Sequence, residues 1–312
     1  MEFKEFIAAS DDAGRRFDRV IRKLFRENGL SSLYKAMRTG TITLNGKKSP
    51  PDAIVQHGDV IAVAAALYAH SRHLPMGAVP ELPEPFSAVF CNEHLLVLNK
   101  PYGVPTHGAR SVAAALAETA ARPSLSFRPA PLHRLDRRTT GLLVCAQSIA
   151  GARWFSAALA AHCVQKTYLA IVEGALEHPG EWHDAVKKNP AERSRFHTVS
   201  LSPHGKCAST AVTPVAFGTL CAHPVTLIRC TIATGRTHQI RAQAAAHGYP
   251  LLGDTAYGAR ALPYDTQLFL HAHTLSFPEN TLCIPATLTA PVPDTFLNAA
   301  ETCRIDLRDC TE

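Results

Sequence analysis

Apolar positions recur at helical spacing early in the chain. Phe17, Val20, Ile21, Leu24 and Phe25 share one face, and Arg15, Arg16, Arg19, Arg22, Lys23 and Arg26 fall mostly on the others. This spacing predicts an amphipathic helix with Gly29 placed to end it. Ser31 and Ser32 stand where they would cap a second helix, turning Leu33 and Met37 inward and Lys35 and Arg38 outward until Gly40 stops it. The period then changes to two. Thr41-Ile42-Thr43-Leu44 alternates and runs into Asn45-Gly46, residues that tolerate the positive φ of a type I′ turn, so a hairpin is expected. Residues 58–63 supply a further strand.

Residues 67–86 carry Pro75, Pro80, Pro83 and Pro85 without a clear period, as a proline-stiffened linker does. Beyond it, apolar runs predict strands at 94–99, 141–145, 168–172, 211–215 and 225–230, and helical patches fall at 111–122, 149–162 and 237–247. Strands and helices mix without a regular βαβ repeat. The expected class is therefore α+β, a mainly antiparallel mixed sheet preceded by a small α/β unit. The division reads 1–66, a linker over 67–86, a large domain over 87–298 and a tail over 299–312. Polar residues 178–207 read as a surface excursion, and the tail as weakly structured.

Bulk properties narrow the function. With 312 residues and 46% hydrophobic content, the chain supports a large domain plus a small one. A net charge of +6 suits a polyanionic partner without requiring one. The nine cysteines form no C-x-x-C pair and the 16 histidines no H-E-x-x-H, so no metal site is expected; the nearest histidine pair is His271 and His273. No G-x-G-x-x-G or G-x-x-x-x-G-K-[S/T] loop occurs, which disfavours a bound methyl donor or nucleotide hydrolysis. The charged N-terminus and the lack of a ~20-residue apolar run point to a cytoplasmic chain without membrane contact, taken as a monomer.

Three segments carry candidate chemistry. In Pro131-Leu132-His133-Arg134-Leu135-Asp136-Arg137-Arg138-Thr139-Thr140-Gly141, an acidic residue among three arginines is expected to stay ionised, fit to act as nucleophile or general base; a salt-bridged surface loop is the plain alternative. In Lys166-Thr167-Tyr168, a tyrosine opening a strand is either a base-stacking platform or a half-buried strand aromatic. In Thr234-Gly235-Arg236-Thr237-His238-Gln239-Ile240-Arg241, Thr237 is placed to cap a helix that projects Arg241, either to grip a carboxylate or as a surface arginine.

Together these segments resemble the RluA-type pseudouridine synthase family. The resemblance includes Leu98-Asn99-Lys100-Pro101-Tyr102-Gly103-Val104, Gly205-Lys206-Cys207-Ala208-Ser209-Thr210, Leu252-Gly253-Asp254 and Leu270-His271-Ala272. Arg16-Phe17-Asp18, Ser31-Ser32, Gly40, Asn45-Gly46-Lys47 and Gly58-Asp59 resemble an S4 RNA-binding domain. The resemblance implies a cofactor-independent isomerase acting on RNA: ribosomal RNA first, tRNA second. Asp136 would be its essential carboxylate, Tyr168 would stack on the target base, and Arg241 would aim Asp136. Arg134 would enter the gap left by the flipped nucleotide. His133, Lys166, Arg236, His238, Arg16, Arg19, Lys35, Arg38 and Lys47 are the further expected RNA contacts. A catalytically inactive RNA-binding or assembly protein on the same fold is the competing class. Gln243 stands where the family typically has histidine, which touches either helix packing or RNA contact.

Overall fold

The structure, a computed structural model, describes residues 2–25, 28–68, 84–119, 124–188, 198–262 and 267–306. The N-terminal elements are β1 (Phe3–Ile7), β2 (Arg15–Arg16), α1 (Phe17–Leu24), α2 (Leu30–Thr39), β3 (Ile42–Leu44), β4 (Ile54–Val55), β5 (Val60–Ala64) and α3 (Ala65–Tyr68). Then come β6 (Ser87–Cys91), β7 (Leu95–Lys100), α4 (Val112–Thr119), β8 (Ala130–Pro131), β9 (Thr140–Ala146), α5 (Ile149–Ala160), β10 (Gln165–Glu173) and β11 (Gly180–Lys188). The chain continues through β12 (Val199–Leu201), β13 (Lys206–Leu220), β14 (His223–Ile232), α6 (Gln239–Ala246), β15 (Leu270–Ser276), β16 (Thr287–Thr289) and α7 (Asp294–Thr302).

Most of the expected linker lies outside the described residues. The N-terminal unit is a β1-β5-β3 sheet on which α1 and α2 bury Phe17, Val20, Ile21, Leu24, Leu33 and Met37. Helix α2 starts one residue before the expected caps. Gly29 is its N-cap and the N–H groups of Ser32 and Leu33 both donate to Gly29 O, so the serines lie inside the first turn. Asn45 and Gly46 take the positive φ the turn requires (51° and 72°), but the returning strand shrinks to one bridge, Leu44 to Lys47. Strand β3 pairs with β5 instead, because Asn45 is committed to the 59–60 turn: its amide donates to Asp59 and its carbonyl accepts the Val60 N–H.

The larger sheet runs β12-β11-β13-β14-β10-β15-β9-β7-β6, with β16 on β15 and β8 on β9, and among the described residues only β15 and β9 pair in parallel. The sheet is covered on both faces, which is why its central strands read as unbroken apolar runs. Leu96, Leu98, Tyr168, Ala170 and Ile228 face α4 and α6, whereas Leu95, Val97 and Val144 face Phe155 on α5, and Leu169, Ile171 and Leu227 face Phe296 and Ala300 on α7. Two expectations fail here. Residues 180–188 and 199–201 are paired strands at one end of the sheet, β12 outermost, rather than a surface excursion, and the described part of the expected tail, 299–306, is held to the sheet by Ala300, Cys303 and Ile305. Among the described residues, no helix is long and apolar enough to cross a membrane.

The two sheets are fastened by carboxylates. Asp12, fully buried, accepts the N–H groups of Leu125 and Ser126 and the Ser126 hydroxyl, and Leu125 inserts into the N-terminal core. Asp11 accepts the N–H of Ile149 at the start of α5.

His271 sits at the parallel join, fully buried. The Thr140 hydroxyl lies 2.8 Å from its Nδ1, and its Nε2 lies 3.5 Å from the Ala290 carbonyl. Burial lowers its pKa to about 4. The folded value lies below the unfolded one, so the contribution is complete above the unfolded pKa and is lost as pH falls from there towards 4. Urea unfolding at pH 7 and pH 5 should show a loss of about 2 kcal/mol from this group. His271→Gln should lose correspondingly less over the same interval; an equal loss would remove His271 as the source.

Candidate active site

The loop bearing Asp136 is braced by the segment that follows β7. The Lys100 ammonium, fully buried, donates to the carbonyls of Pro101, Val104 and Arg137, and three acceptors match its three protons. Burial lowers its pKa to about 7, with the Asp136 charge pulling the other way. Gly103 and Arg137 exchange two further bonds: Gly103 N–H to Arg137 O at 2.9 Å, and Arg137 Nε to Gly103 O at 2.8 Å. The Thr106 hydroxyl donates to Leu135 O and accepts the Leu135 N–H, so both backbone groups of Leu135 are held by one side chain. The loop ends at Gly141, whose φ of 103° and close approach to Ala272 leave no room for a side chain: an added Cβ would lie 2.2 Å from the Ala272 carbonyl oxygen. Only glycine lets β9 enter the parallel pair there.

Opposite lies α6. Gln239, buried, orders the loop before it by accepting the Thr234 hydroxyl and the Arg236 N–H, and donates to Ser209 O and the Thr210 hydroxyl. Thr237 does not cap the helix. The N-cap is His238, in the left-handed region at φ 52° and without a side-chain capping bond.

From α6, Arg241 reaches two carboxylates. Its Nε and Nη2 form a bidentate pair with Asp254 at 2.7 and 2.8 Å, and its Nη1 lies 3.5 Å from Asp136 Oδ2. Its guanidinium also lies 4.9 Å over the Tyr257 ring. Asp254 is fully buried and also draws Arg138, whose Nη2 donates to Gly253 O at 3.0 Å. The neighbouring arginines were expected to accompany Asp136. Instead Arg137 and Arg138 turn to Gly103 and Gly253, Arg134 is exposed, and the cation beside Asp136, Arg241, comes from α6.

The Asp136 side chain is 15% exposed, and His238 Nε2 stands 3.5 Å from the same Oδ2 that faces Arg241. Tyr168 lies beneath, 8% exposed in the core with Leu135 and Ile240; burial raises its hydroxyl pKa, and the Asp136 charge adds to the effect.

Three expected RNA contacts are buried or tied into the fold. His133 accepts the Val144 N–H and stacks on Phe155 at 5.9 Å, and burial lowers its pKa to about 3. Lys166 is 7% exposed. His238 belongs to the Asp136 cluster. Arg236 is exposed and, with Lys187, His204 and Lys206, lines a hollow of about 530 Å³ beside the loop. Gln243 is a packing residue: fully buried, it accepts the Thr210 hydroxyl and donates to Asp184 and Trp182, tying α6 to β11 and β13. The His271 and His273 rings lie 5.9 Å apart and tilted by 58°, and no group of three or more histidine, cysteine or acidic side chains placed to hold a metal ion occurs among the described residues.

Residues 94–246 match the RNA pseudouridylate synthase family. Ribosomal large subunit pseudouridine synthase C of Haemophilus ducreyi is 30% identical over 306 residues, covering 92% of this chain and 91% of that protein. Ribosomal large subunit pseudouridine synthase D of Xylella fastidiosa is 32% identical over 301 residues, covering 90% and 87%. Among solved structures, human RNA pseudouridylate synthase domain containing 1 superposes with a TM-score of 0.57 at 27% identity, over 70% of this chain and 88% of that one. The chain belongs to the RNA pseudouridylate synthase family, and it is an isomerase that acts on RNA.

Removing one partner of a buried ion pair leaves an uncompensated charge and costs about 3–5 kcal/mol. Asp254→Ala should lower the unfolding free energy by that amount in denaturant titrations. A loss below about 1 kcal/mol would mean that Arg241 does not depend on Asp254.

Proposed function

We propose that this enzyme isomerises uridines of large-subunit ribosomal RNA, with Asp136 as the carboxylate that works on the nucleotide. The observation that carries this reading is the posture of Asp136: partly exposed, and approached through one oxygen by Arg241 and His238. The reaction breaks the N1–C1′ bond, turns the uracil and joins its C5 to C1′. A proton leaves C5 and another arrives at N1, so no atoms are gained or lost. A carboxylate serves by adding to C1′, adding to the ring or taking a proton from the sugar, and each path requires it ionised and aimed. In this reading Tyr168 stacks on the base and Arg134 fills the gap left by the flipped uridine, a step costing a few kcal/mol. The names of the relatives support ribosomal RNA as substrate.

The N-terminal 66 residues act as an S4-like RNA-binding unit in the same reading. Arg19, Lys35, Arg38 and Lys47 are exposed, and Lys35 and Arg38 line a hollow of about 500 Å³ with Lys48 and Tyr34. Arg16 contributes less charge than expected, because it forms two bonds to Asp18.

Tritium release from ribosomal RNA transcripts labelled at uridine C5 tests the activity. Asp136→Asn should bind RNA like the wild type while turnover falls by more than about 10³-fold. Turnover near wild type would remove Asp136 from its role, and release from tRNA alone would reassign the substrate. Lys35→Ala with Arg38→Ala should weaken binding across sequences and flatten its salt dependence by about two in log–log slope; an unchanged slope would remove this face from the RNA path.

A further inference from the structure

Tyr257 and His238 form a line of polar contacts that leads to Asp136. The Tyr257 oxygen accepts the Val199 N–H at 2.9 Å and lies 3.0 Å from His238 Nδ1. A phenol has one proton to give, and burial raises the Tyr257 hydroxyl pKa to about 12, so it remains a donor. Given to Nδ1, that proton makes Nδ1 the acceptor nitrogen and puts the imidazole proton on Nε2, which stands 3.5 Å from Asp136 Oδ2. Burial, with the charges of Arg241 and Arg134, lowers the ring's pKa against the pull of Asp136 and Asp254, which favours the neutral form. A separate observation agrees. His238 holds the N-cap of α6 at φ 52°, a conformation uncommon outside glycine, and forgoes the capping bond while its ring engages Tyr257.

We propose that His238 is a positioning residue: Tyr257 holds it as the Nε2–H tautomer, and it secures Oδ2 of Asp136 together with Arg241, leaving Oδ1 for the nucleotide. Both contacts to Oδ2 are long in the free enzyme and shorten when substrate fills the site. The inference rests on the proposed role of Asp136, but the tautomer is measurable without any substrate.

The test is imidazole nitrogen NMR on the full chain near neutral pH, with the His238 signal assigned by its loss in His238→Gln. A single Nε2–H tautomer in the wild type, becoming mixed in Tyr257→Phe, is the expected result. In the tritium assay, His238→Ala should lower kcat by about 10²-fold with KM within twofold. His238→Gln, which keeps a donor at the position of Nε2, should recover part of the loss. An Nδ1–H tautomer or an imidazolium in the wild type would overturn the proposal. So would wild-type kcat in a folded His238→Ala. Turnover by Asp136→Asn would instead sink the role of Asp136 and leave the tautomer result standing.

Discussion

The site depends on the buried pair between Arg241 and Asp254. Two nitrogens of the guanidinium are satisfied by one carboxylate that has no exposure to solvent, and this leaves Nη1 aimed at Asp136. A buried pair of this kind is weak as a source of stability, because desolvating both charges offsets most of their attraction. Its contribution is geometric. A planar fork gripped along one edge cannot rotate, so the direction of the remaining edge is set by the backbone of α6 and of the Asp254 turn. A lysine at position 241 would supply the charge but not the direction.

That constraint has value only if Asp136 is equally well held. Its loop is built between two rigid boundaries. On one side β7 delivers Lys100, whose ammonium gathers three carbonyls, one of them Arg137 O from the Asp136 loop itself. On the other, Gly141 admits β9 into the parallel pair with β15. Asp136 thus sits where the antiparallel sheet changes direction, between strands buried on both faces. The side chains at this junction are buried and polar, and each has its partner: Lys100 with backbone carbonyls, His271 with Thr140, Gln239 with Thr210 and Gln243 with Asp184. A network satisfied throughout resists distortion more than an apolar core of the same volume.

Much of this was legible in the residues. Continuous apolar runs located β7, β9, β10 and β14, and helical spacing located α1, α5 and α6, because burial on one or both faces imposes those patterns directly. Asp136, Tyr168 and Arg241 were singled out, and the structure gathers them in one place. Partner choice was not legible. Asp136 has arginines at 134, 137 and 138, yet its cationic neighbour is 105 positions away, since Arg137 and Arg138 are drawn to backbone carbonyls and to Asp254 and Arg134 is exposed. Lys166, His133 and His238 were expected as RNA contacts from the motifs that carry the resemblance, and the structure buries them wholly or in part. Polarity says that a side chain needs a partner, not whether the partner is solvent, backbone or another chain. The tail was missed for a related reason: Phe296, Ala300 and Cys303 are too few to make a strong pattern, and α7 is held by the face of the sheet.

The same logic explains why a carboxylate can remain useful in so basic a surround. Direct bidentate pairing of Asp136 with any of its arginines would occupy both oxygens and leave nothing for a nucleotide. Asp254 prevents this by taking the two best-directed nitrogens of Arg241 and by drawing Arg138 with them. Gly103 takes Arg137. Asp136 is left with two contacts at 3.5 Å, both to Oδ2. That is enough to orient a carboxylate and too little to satisfy it. Asp254, with no exposure to solvent, draws the guanidinium groups of Arg241 and Arg138 away from Asp136.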